Sequence, residues 1–145
     1  MTLVNRDGRP VAEATFRVRF AETDAMGVVH HAAYVVYFEE GRSEYSRQAG
    51  APYADLEAMG FSLAVSEVRA RYLAPAVYDQ AITVRTWVER IGSRGVTFAY
   101  EVVAAGSQQV LVTGQTRHIC VDRQGRVSRI PERWLAVLME GAGLT

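Results

Sequence analysis

The sequence contains a single cysteine, Cys120, so it cannot form an internal disulfide or a metal site built from several cysteines. Its 16 basic residues balance its 16 acidic residues, which leaves no overall charge that would attract nucleic acid or an anionic membrane. No apolar run reaches the roughly 20 residues that span a bilayer. The polar residues 1–10 lack the apolar core of a secretory signal. These absences predict a cytoplasmic protein with no membrane span and no nucleic-acid partner.

Several nucleotide-binding and catalytic motifs are also missing. The sequence has neither a P-loop nor a G-x-G-x-x-G pattern, so an ATPase or a nicotinamide enzyme is not indicated. It has no G-x-S-x-G elbow, and Ser93 is therefore a poor candidate for a nucleophile. Cys120 lies in an apolar, strand-like run, where a buried structural thiol is the usual occupant. A pair between Cys120 and His118, two residues earlier on the same strand face, is a weak alternative.

What is present is a chain of 145 residues with 49% hydrophobic and 22% charged residues, the composition of an ordinary globular protein. This length predicts one domain over residues 1–145. Residues 1–13 are polar and irregular, and we expect them to form a flexible leader.

Hydrophobic periodicity predicts a strand, a long helix and then four more strands. Residues 16–20 alternate between apolar and polar, which is typical of a half-buried strand, whereas residues 31–48 follow helical spacing. The later strands are expected over residues 61–72, 82–88, 96–102 and 110–122, with a β-bulge near residues 66–67 and a short helix over 131–140. Short turns imply antiparallel neighbours. The predicted architecture is α+β, one long helix against a strongly curved antiparallel sheet of about five strands.

Asp24 is the first candidate for chemistry, because it lies where a strand ends and a loop leads to the long helix. His30 and His31 follow at the expected helix start, where unpaired backbone amides can hold the oxyanion of an acyl-transfer intermediate. The alternatives are a turn aspartate and histidines that cap the helix or fill the core. A metal site formed by Asp24, His30, His31 and His118 has no recognisable ligand spacing.

Glu39 and Arg42 stand out from the other charges of the helix by their position. Charged residues three or four apart on a helix are usually a solvated face with ion pairs. These two, however, adjoin the apolar half of the helix, and they would matter if a pocket opens there.

Residues 16–45 contain the block RVRFAETDAMGVVHHAAYVVYFEEGRSEY. This block closely resembles the signature of the 4-hydroxybenzoyl-CoA thioesterase-like family, which includes the acyl-CoA thioesterases associated with the Tol-Pal system. A looser similarity continues through residues 72–76, Asp79 and the turn at residues 92–95. The resemblance implies the hotdog fold, in which an antiparallel sheet wraps a long helix. It also implies homodimers joined through continuous sheets, often paired into homotetramers, with active sites at the subunit interface.

The resemblance further implies hydrolysis of an acyl-CoA thioester to a free acid and coenzyme A, with no cofactor and no metal. Asp24 would attack the thioester carbonyl or activate water, and the backbone amide of His31 would polarise the carbonyl oxygen. The other residues that the resemblance assigns to substrate binding are Gly27, Val29, His30 and Tyr34 near the reacting group, and Ser93 and Arg94 at the coenzyme A phosphates. Met26 and His30 depart from the residues that relatives often carry, which bears on acyl preference.

Two other functions are compatible with the same fold. A hotdog module could bind acyl-CoA or a protein partner without turnover, although the joint presence of Asp24 and Gly27 argues against it. A hotdog dehydratase would require a histidine with a carboxylate across the interface, and the loop from Asp24 to His31 does not resemble that arrangement.

Overall fold

The computed structural model describes residues 4–6 and 8–144, with side chains from Gly8 onward. The strands are β1 (Val4–Arg6), β2 (Arg9–Arg17), β3 (Ser62–Tyr72), β4 (Ala81–Ile91), β5 (Gly95–Ala104) and β6 (Val110–Val121). The helices are α1 (Ala33–Gln48), α2 (Tyr53–Ala58) and α3 (Glu132–Gly141), and a short 3-10 turn covers Phe20–Glu22. None of the described helices is both long enough and apolar enough to cross a membrane.

The six strands form one antiparallel sheet in the order β1-β2-β4-β5-β6-β3. Strand β3 pairs only with β6 among the described residues, so its other edge is open. The long helix α1 contacts β2, β4 and β5. The predicted α+β architecture is therefore confirmed, with the short β1 as an additional strand. The pairing register of β3 and β6 shifts between Val65 and Glu67, which confirms the predicted bulge.

The prediction of a flexible leader over residues 1–13 is wrong for residues 4–6, which form β1, and for residues 9–13, which begin β2. Ala12 pairs with Thr86 and is buried, because β2 covers the side of β4 that would otherwise be open. Val11 is buried as well, and two adjacent buried residues break the alternation that marks a strand. For residues 1–3 and 7 the prediction lies outside the described residues.

Helix α1 is held against the sheet by one face of large and small side chains. Phe38 is fully buried and stacks on Tyr100 with ring centroids 4.4 Å apart. Gly41 lies so close to β4 that a Cβ atom there would overlap Thr86 Oγ1 and Val84 Cγ1. This close approach fixes the height of the helix above the sheet, and with it the position of the loop that precedes the helix.

Candidate functional site

The loop between β2 and α1 is pinned at both sides. Thr23 forms a β-bridge with Val29, and Val28 forms one with Val77. The buried Val29 also donates its backbone N–H to the carbonyl of Ala76 at 2.9 Å. The segment from Asp24 to Val28 is thus a tight hairpin tied to the chain just before β4, so its side chains have fixed directions.

Asp24 is half-buried at the start of this hairpin, and its two carboxylate oxygens differ in their hydrogen-bond partners. Oδ1 accepts the backbone N–H of Met26 at 2.9 Å and that of Val28 at 3.4 Å. Oδ2 has no hydrogen-bond partner within the described part of the chain. Gly27 closes the turn at φ +80°, a conformation that other residues adopt only at a cost. One oxygen therefore builds the turn, and the other is available for chemistry.

The backbone amide of His31 is unpaired between two satisfied neighbours. The His30 amide donates to the Glu22 carbonyl at 2.8 Å, and the Ala32 amide donates to His30 Nδ1 at 3.1 Å. The Ala33 amide donates to the His30 carbonyl at 2.9 Å. No acceptor for the His31 amide is found over residues 8–144. Amides left without an acceptor at a helix start are suited to an incoming oxyanion.

The helix was expected to begin near residue 31, but it begins at Ala33. The turn closed by the Ala33 amide and the His30 carbonyl precedes the helix, so the His31 amide lies just outside its first turn. His30 accepts the Ala32 N–H through its ring, although the N-cap residue of α1 is Ala32 and the helix has no side-chain cap hydrogen bond. The rings of His30 and His31 are both exposed and lie 4.2 Å apart between centroids.

Aromatic residues of α1 and β3 pack beside the loop between β2 and α1. Tyr34 is buried between Tyr37 and Tyr72, each with a ring centroid 5.5 Å away. Burial raises the pKa of Tyr34, which keeps its hydroxyl protonated. Tyr72 donates from its hydroxyl to the His31 carbonyl at 3.1 Å, and Tyr37 donates to Glu22 at 2.8 Å. The Tyr72 contact orients the peptide group that follows the unpaired amide, and the Tyr37 contact holds the side chain of Glu22, whose carbonyl accepts the His30 amide.

The supporting roles of Glu22 and Tyr72 were not predicted. Tyr72 ends β3 and meets His31 from 41 residues along the chain, so no local spacing links the two. Glu22 stands in the quoted block, but its contact with Tyr37 depends on how the loop folds back onto α1.

Within a single chain, Ser93 and Arg94 are not brought close to the loop between β2 and α1 (residues 18–32), which we call the Asp24 loop. The loop is anchored beside the beginning of β4, whereas Ser93 and Arg94 lie in the exposed turn after its end. The 11 residues of β4 extend over about 36 Å at the usual rise of a strand. A common site for all these residues would therefore require a second protomer.

The structure does not favour two of the alternatives from the sequence, the metal site and the Cys120 nucleophile. His118 lies in β6 opposite Val65, at the far end of β3 from Tyr72 and the Asp24 loop, so the four proposed metal ligands are not assembled. Cys120 is fully buried, and burial together with Asp122 raises the pKa of its thiol. A thiol with a raised pKa is a poor nucleophile.

Comparison with known proteins agrees with this geometry. The family model of the thioesterase-like superfamily matches residues 18–138. The acyl-CoA thioester hydrolase YbgC from Escherichia coli O157:H7 is 30% identical over 106 residues, which cover 73% of this chain and 78% of that protein.

Similar solved structures include a hypothetical protein from Thermus thermophilus, 39% identical with a TM-score of 0.84, covering 89% of this chain and 98% of the other. A DHNA-CoA thioesterase from Staphylococcus aureus is 29% identical with a TM-score of 0.83, covering 90% of this chain and 87% of the other. The fold is thus the hotdog fold, and the chain belongs to the thioesterase-like superfamily.

Proposed function

We propose that this protein hydrolyses acyl-CoA thioesters, with Asp24 as the catalytic carboxylate and the His31 amide as the oxyanion donor. The proposal is carried by the pairing of a free carboxylate oxygen with an unpaired amide on one pinned loop. Membership of a thioesterase family supports the reaction class. A binding module without turnover is not favoured, because such a module needs neither group.

Two mechanisms of thioester hydrolysis use the Asp24 carboxylate and the His31 amide. In the first, an Asp24 oxygen attacks the thioester carbonyl carbon, coenzyme A leaves as the thiolate, and water hydrolyses the resulting acyl anhydride. In the second, Asp24 takes a proton from water, whose oxygen attacks the same carbon before the C–S bond breaks. In both, the carbonyl oxygen gains negative charge and accepts the His31 N–H. Such a donor contributes about 100- to 1,000-fold to the rate in other acyl-transfer enzymes.

The remaining loop residues are assigned to the substrate around the reacting carbonyl. Gly27 is exposed and has open space where a side chain would stand, so the thioester can approach the backbone closely. Val29 and Tyr34 form the buried floor, and the His30 ring borders the entrance. No metal or organic cofactor enters this reaction.

We further propose a homodimer formed by two β3 edges, which two such dimers can extend to a homotetramer. The outer edge of β3 is unpaired in the described chain and carries the exposed Val65 and Val68. An open edge with apolar side chains favours pairing with a second strand. Antiparallel pairing about a two-fold axis would bring the beginning of one β3 beside the end of the other. Ser93 and Arg94, near the beginning of β3, would then approach the Asp24 loop of the partner, where they can bind coenzyme A phosphates.

A cytoplasmic location is part of the same proposal. Acyl-CoA substrates are made and used inside cells, and the single cysteine of the chain is an unpaired, buried thiol, as is usual in a reducing compartment.

The test is thiol release from a panel of acyl-CoA esters by the purified protein and by Asp24→Asn. The asparagine keeps an oxygen for the Met26 and Val28 amides but is neither a base nor a carboxylate nucleophile. We expect kcat to fall by about 1,000-fold or more, as expected for loss of a nucleophile or general base. Full activity of Asp24→Asn would contradict the assignment.

The matched control is Asp122→Asn. Asp122 Oδ1 accepts two backbone amides in a turn of the same kind, from Gln124 at 2.9 Å and from Arg126 at 3.0 Å. Its turn follows β6, next to the beginning of β3, and lies away from the Asp24 loop of the same protomer. Asp122→Asn should keep the activity of the unmodified protein, so a similar loss in both variants would indicate a structural effect.

A further inference from the structure

A second feature of the molecule is a cavity of about 260 Å³ between α1, α2, the beginnings of β3 and β5 and the end of β6. Its walls include Glu39, Arg42, Tyr53, Leu63, Phe98 and His118. Pockets that take drug-sized ligands measure about 300–1,000 Å³, so this one suits a small group. It opens at the place on α1 where the sequence put Glu39 and Arg42 beside the apolar half of the helix.

Arg42 brings a poorly compensated positive charge to this cavity. Its side chain is only 19% exposed, and its buried Nη1 has no hydrogen-bond partner in the described chain. The nearest carboxylate is Glu39, whose Oε2 is 3.9 Å from Arg42 Nη2. The Glu39 side chain is 68% exposed, so solvent screens this contact. A largely buried guanidinium with one unpartnered nitrogen is suited to an anionic group, above all to a carboxylate, which matches its planar donors.

His118 presents a second unpaired polar atom. Its Nε2 is 2.7 Å from Thr116 Oγ1, which in turn is 2.5 Å from the Tyr100 hydroxyl. The other ring nitrogen of His118, Nδ1, is buried and has no hydrogen-bond partner among the described residues. In the neutral tautomer that carries its hydrogen on Nδ1, this atom can donate to an anionic group in the cavity.

Within one protomer, the cavity is remote from the Asp24 loop. Arg42 follows His31 by 11 residues, which corresponds to about 16 Å along a helix. In the proposed homodimer, the cavity of one protomer lies close to the Asp24 loop of the partner. A two-fold axis near the middle of β3 places Leu63 beside the end of β3 in the partner, where the Tyr72 side chain contacts the His31 carbonyl. Paired strands lie only about 4.8 Å apart.

We propose that this cavity receives the far end of the acyl group whose thioester is bound at the partner's Asp24 loop, and that the preferred acyl groups are short and end in a carboxylate. Arg42 and the Nδ1–H of His118 bind that carboxylate, while Leu63 and Phe98 contact the methylene groups before it. The inference rests on the proposed hydrolysis and adds the substrate class. The substrates are therefore monothioesters of short dicarboxylic acids with coenzyme A.

The experiment compares acyl-CoA pairs of equal chain length with and without the terminal carboxylate, glutaryl with pentanoyl and adipoyl with hexanoyl. Thiol release gives kcat/KM for each, and the only protein thiol, Cys120, is buried and adds little background. We expect the carboxylate member to be favoured by about 10- to 100-fold, the factor that corresponds to a hydrogen bond with a charged group. A ratio within about twofold of one, or a preference for the neutral member, would overturn the inference.

Variants of Arg42 test whether this residue causes the preference for acyl groups that end in a carboxylate. Arg42→Met keeps the length of the side chain without its charge, and the carboxylate preference should be lost. Arg42→Lys should retain part of it, because the charge remains without the planar donors. The matched control is Arg47→Met, on the same helix, where Arg47 pairs with Glu40 and Glu44 at the surface. An unchanged preference in Arg42→Met, or an equal change in Arg47→Met, would contradict the role of Arg42.

Binding separates this inference from the proposed hydrolysis. Calorimetric titration of Asp24→Asn with glutaryl-CoA and pentanoyl-CoA measures the two affinities without turnover. We expect glutaryl-CoA to bind about 10- to 100-fold more tightly, and Arg42→Met in the same background to remove the difference. Equal affinities would overturn the substrate class even if both esters are hydrolysed. Unequal affinities without hydrolysis by the unmodified protein would instead contradict the enzymatic proposal and leave the cavity assignment standing.

Discussion

At the scale of single residues, His118 ties the stability of the protein to pH. Burial, assisted by the positive charge of Arg42, lowers the pKa of His118 to about 4. The unfolded chain binds a proton near pH 6.5, whereas the folded chain does so only near pH 4. The free energy of unfolding therefore falls as the pH drops through this window, and His118 should account for about 2 kcal/mol of the loss at pH 5.

Urea unfolding at pH 7 and pH 5 of the unmodified protein and of His118→Gln measures this contribution. The glutamine cannot be protonated, so the pH-dependent loss should be smaller in the variant by about 2 kcal/mol. His30→Gln is the control for the exchange of histidine for glutamine, because the His30 ring is exposed. Equal losses in His118→Gln and the unmodified protein would show that His118 is protonated without cost.

Asp24 shows how far a single residue could be interpreted from the sequence. A turn aspartate and a catalytic carboxylate were competing interpretations, and the structure gives the two oxygens different surroundings. Oδ1 holds the turn and Oδ2 is free. Turn chemistry is local and therefore visible in the sequence, and so was the block around His31. That the His31 amide lacks an acceptor depends on where the Glu22 and Ala76 carbonyls lie, which only the fold determines.

At the scale of elements, the packing of α1 on β4 depends on the absence of a side chain at Gly41. Gly41→Ala would improve helix propensity by up to about 1 kcal/mol. The added methyl group would, however, overlap Thr86 Oγ1 and Val84 Cγ1 in a fully buried contact. Overpacking of this kind costs about 1–3 kcal/mol, so we expect a net loss in the free energy of unfolding by urea.

The control for this substitution is Gly106→Ala. Gly106 is exposed and has no neighbour within 4 Å of an added Cβ. Its change should stay within about 0.5 kcal/mol, as is usual for surface substitutions. A gain in stability for Gly41→Ala would show that the helix can move away from the sheet, and the loop before it would then be less firmly placed than the structure indicates.

The elements themselves were predicted with uneven success, for a physical reason. Strands with one buried face alternate clearly, so β3 to β6 were found with their turns and with the bulge beside Glu67. The first half of β2 was missed because Arg9 and Pro10 precede two adjacent buried residues, Val11 and Ala12, which breaks the alternation. The cavity was not predictable in detail, since Arg42, Tyr53, Leu63 and His118 come from four separate elements.

At the scale of the whole molecule, the proposed homodimer completes the site by pairing the open β3 edges of two protomers. Val65 and Val68 lie near the middle of the strand, 49% and 40% exposed, where a two-fold axis would bring the two copies together. Replacing both by glutamate would bury four carboxylates at that axis, and charged side chains on an edge strand oppose pairing. We expect Val65→Glu/Val68→Glu to sediment as a monomer while the unmodified protein sediments as a dimer or tetramer.

Loss of the dimer should also remove activity, because each Asp24 loop would lose the partner's cavity and the partner's Ser93–Arg94 turn. The matched control is Val127→Glu, which places a carboxylate at another apolar residue, 61% exposed, in the turn after β6. This variant should keep both the assembly and the rate of thiol release. A double variant that is monomeric and folded by circular dichroism yet fully active would show that one protomer contains the whole site. The distant positions of Arg42, Ser93 and Arg94 would then have no part in catalysis.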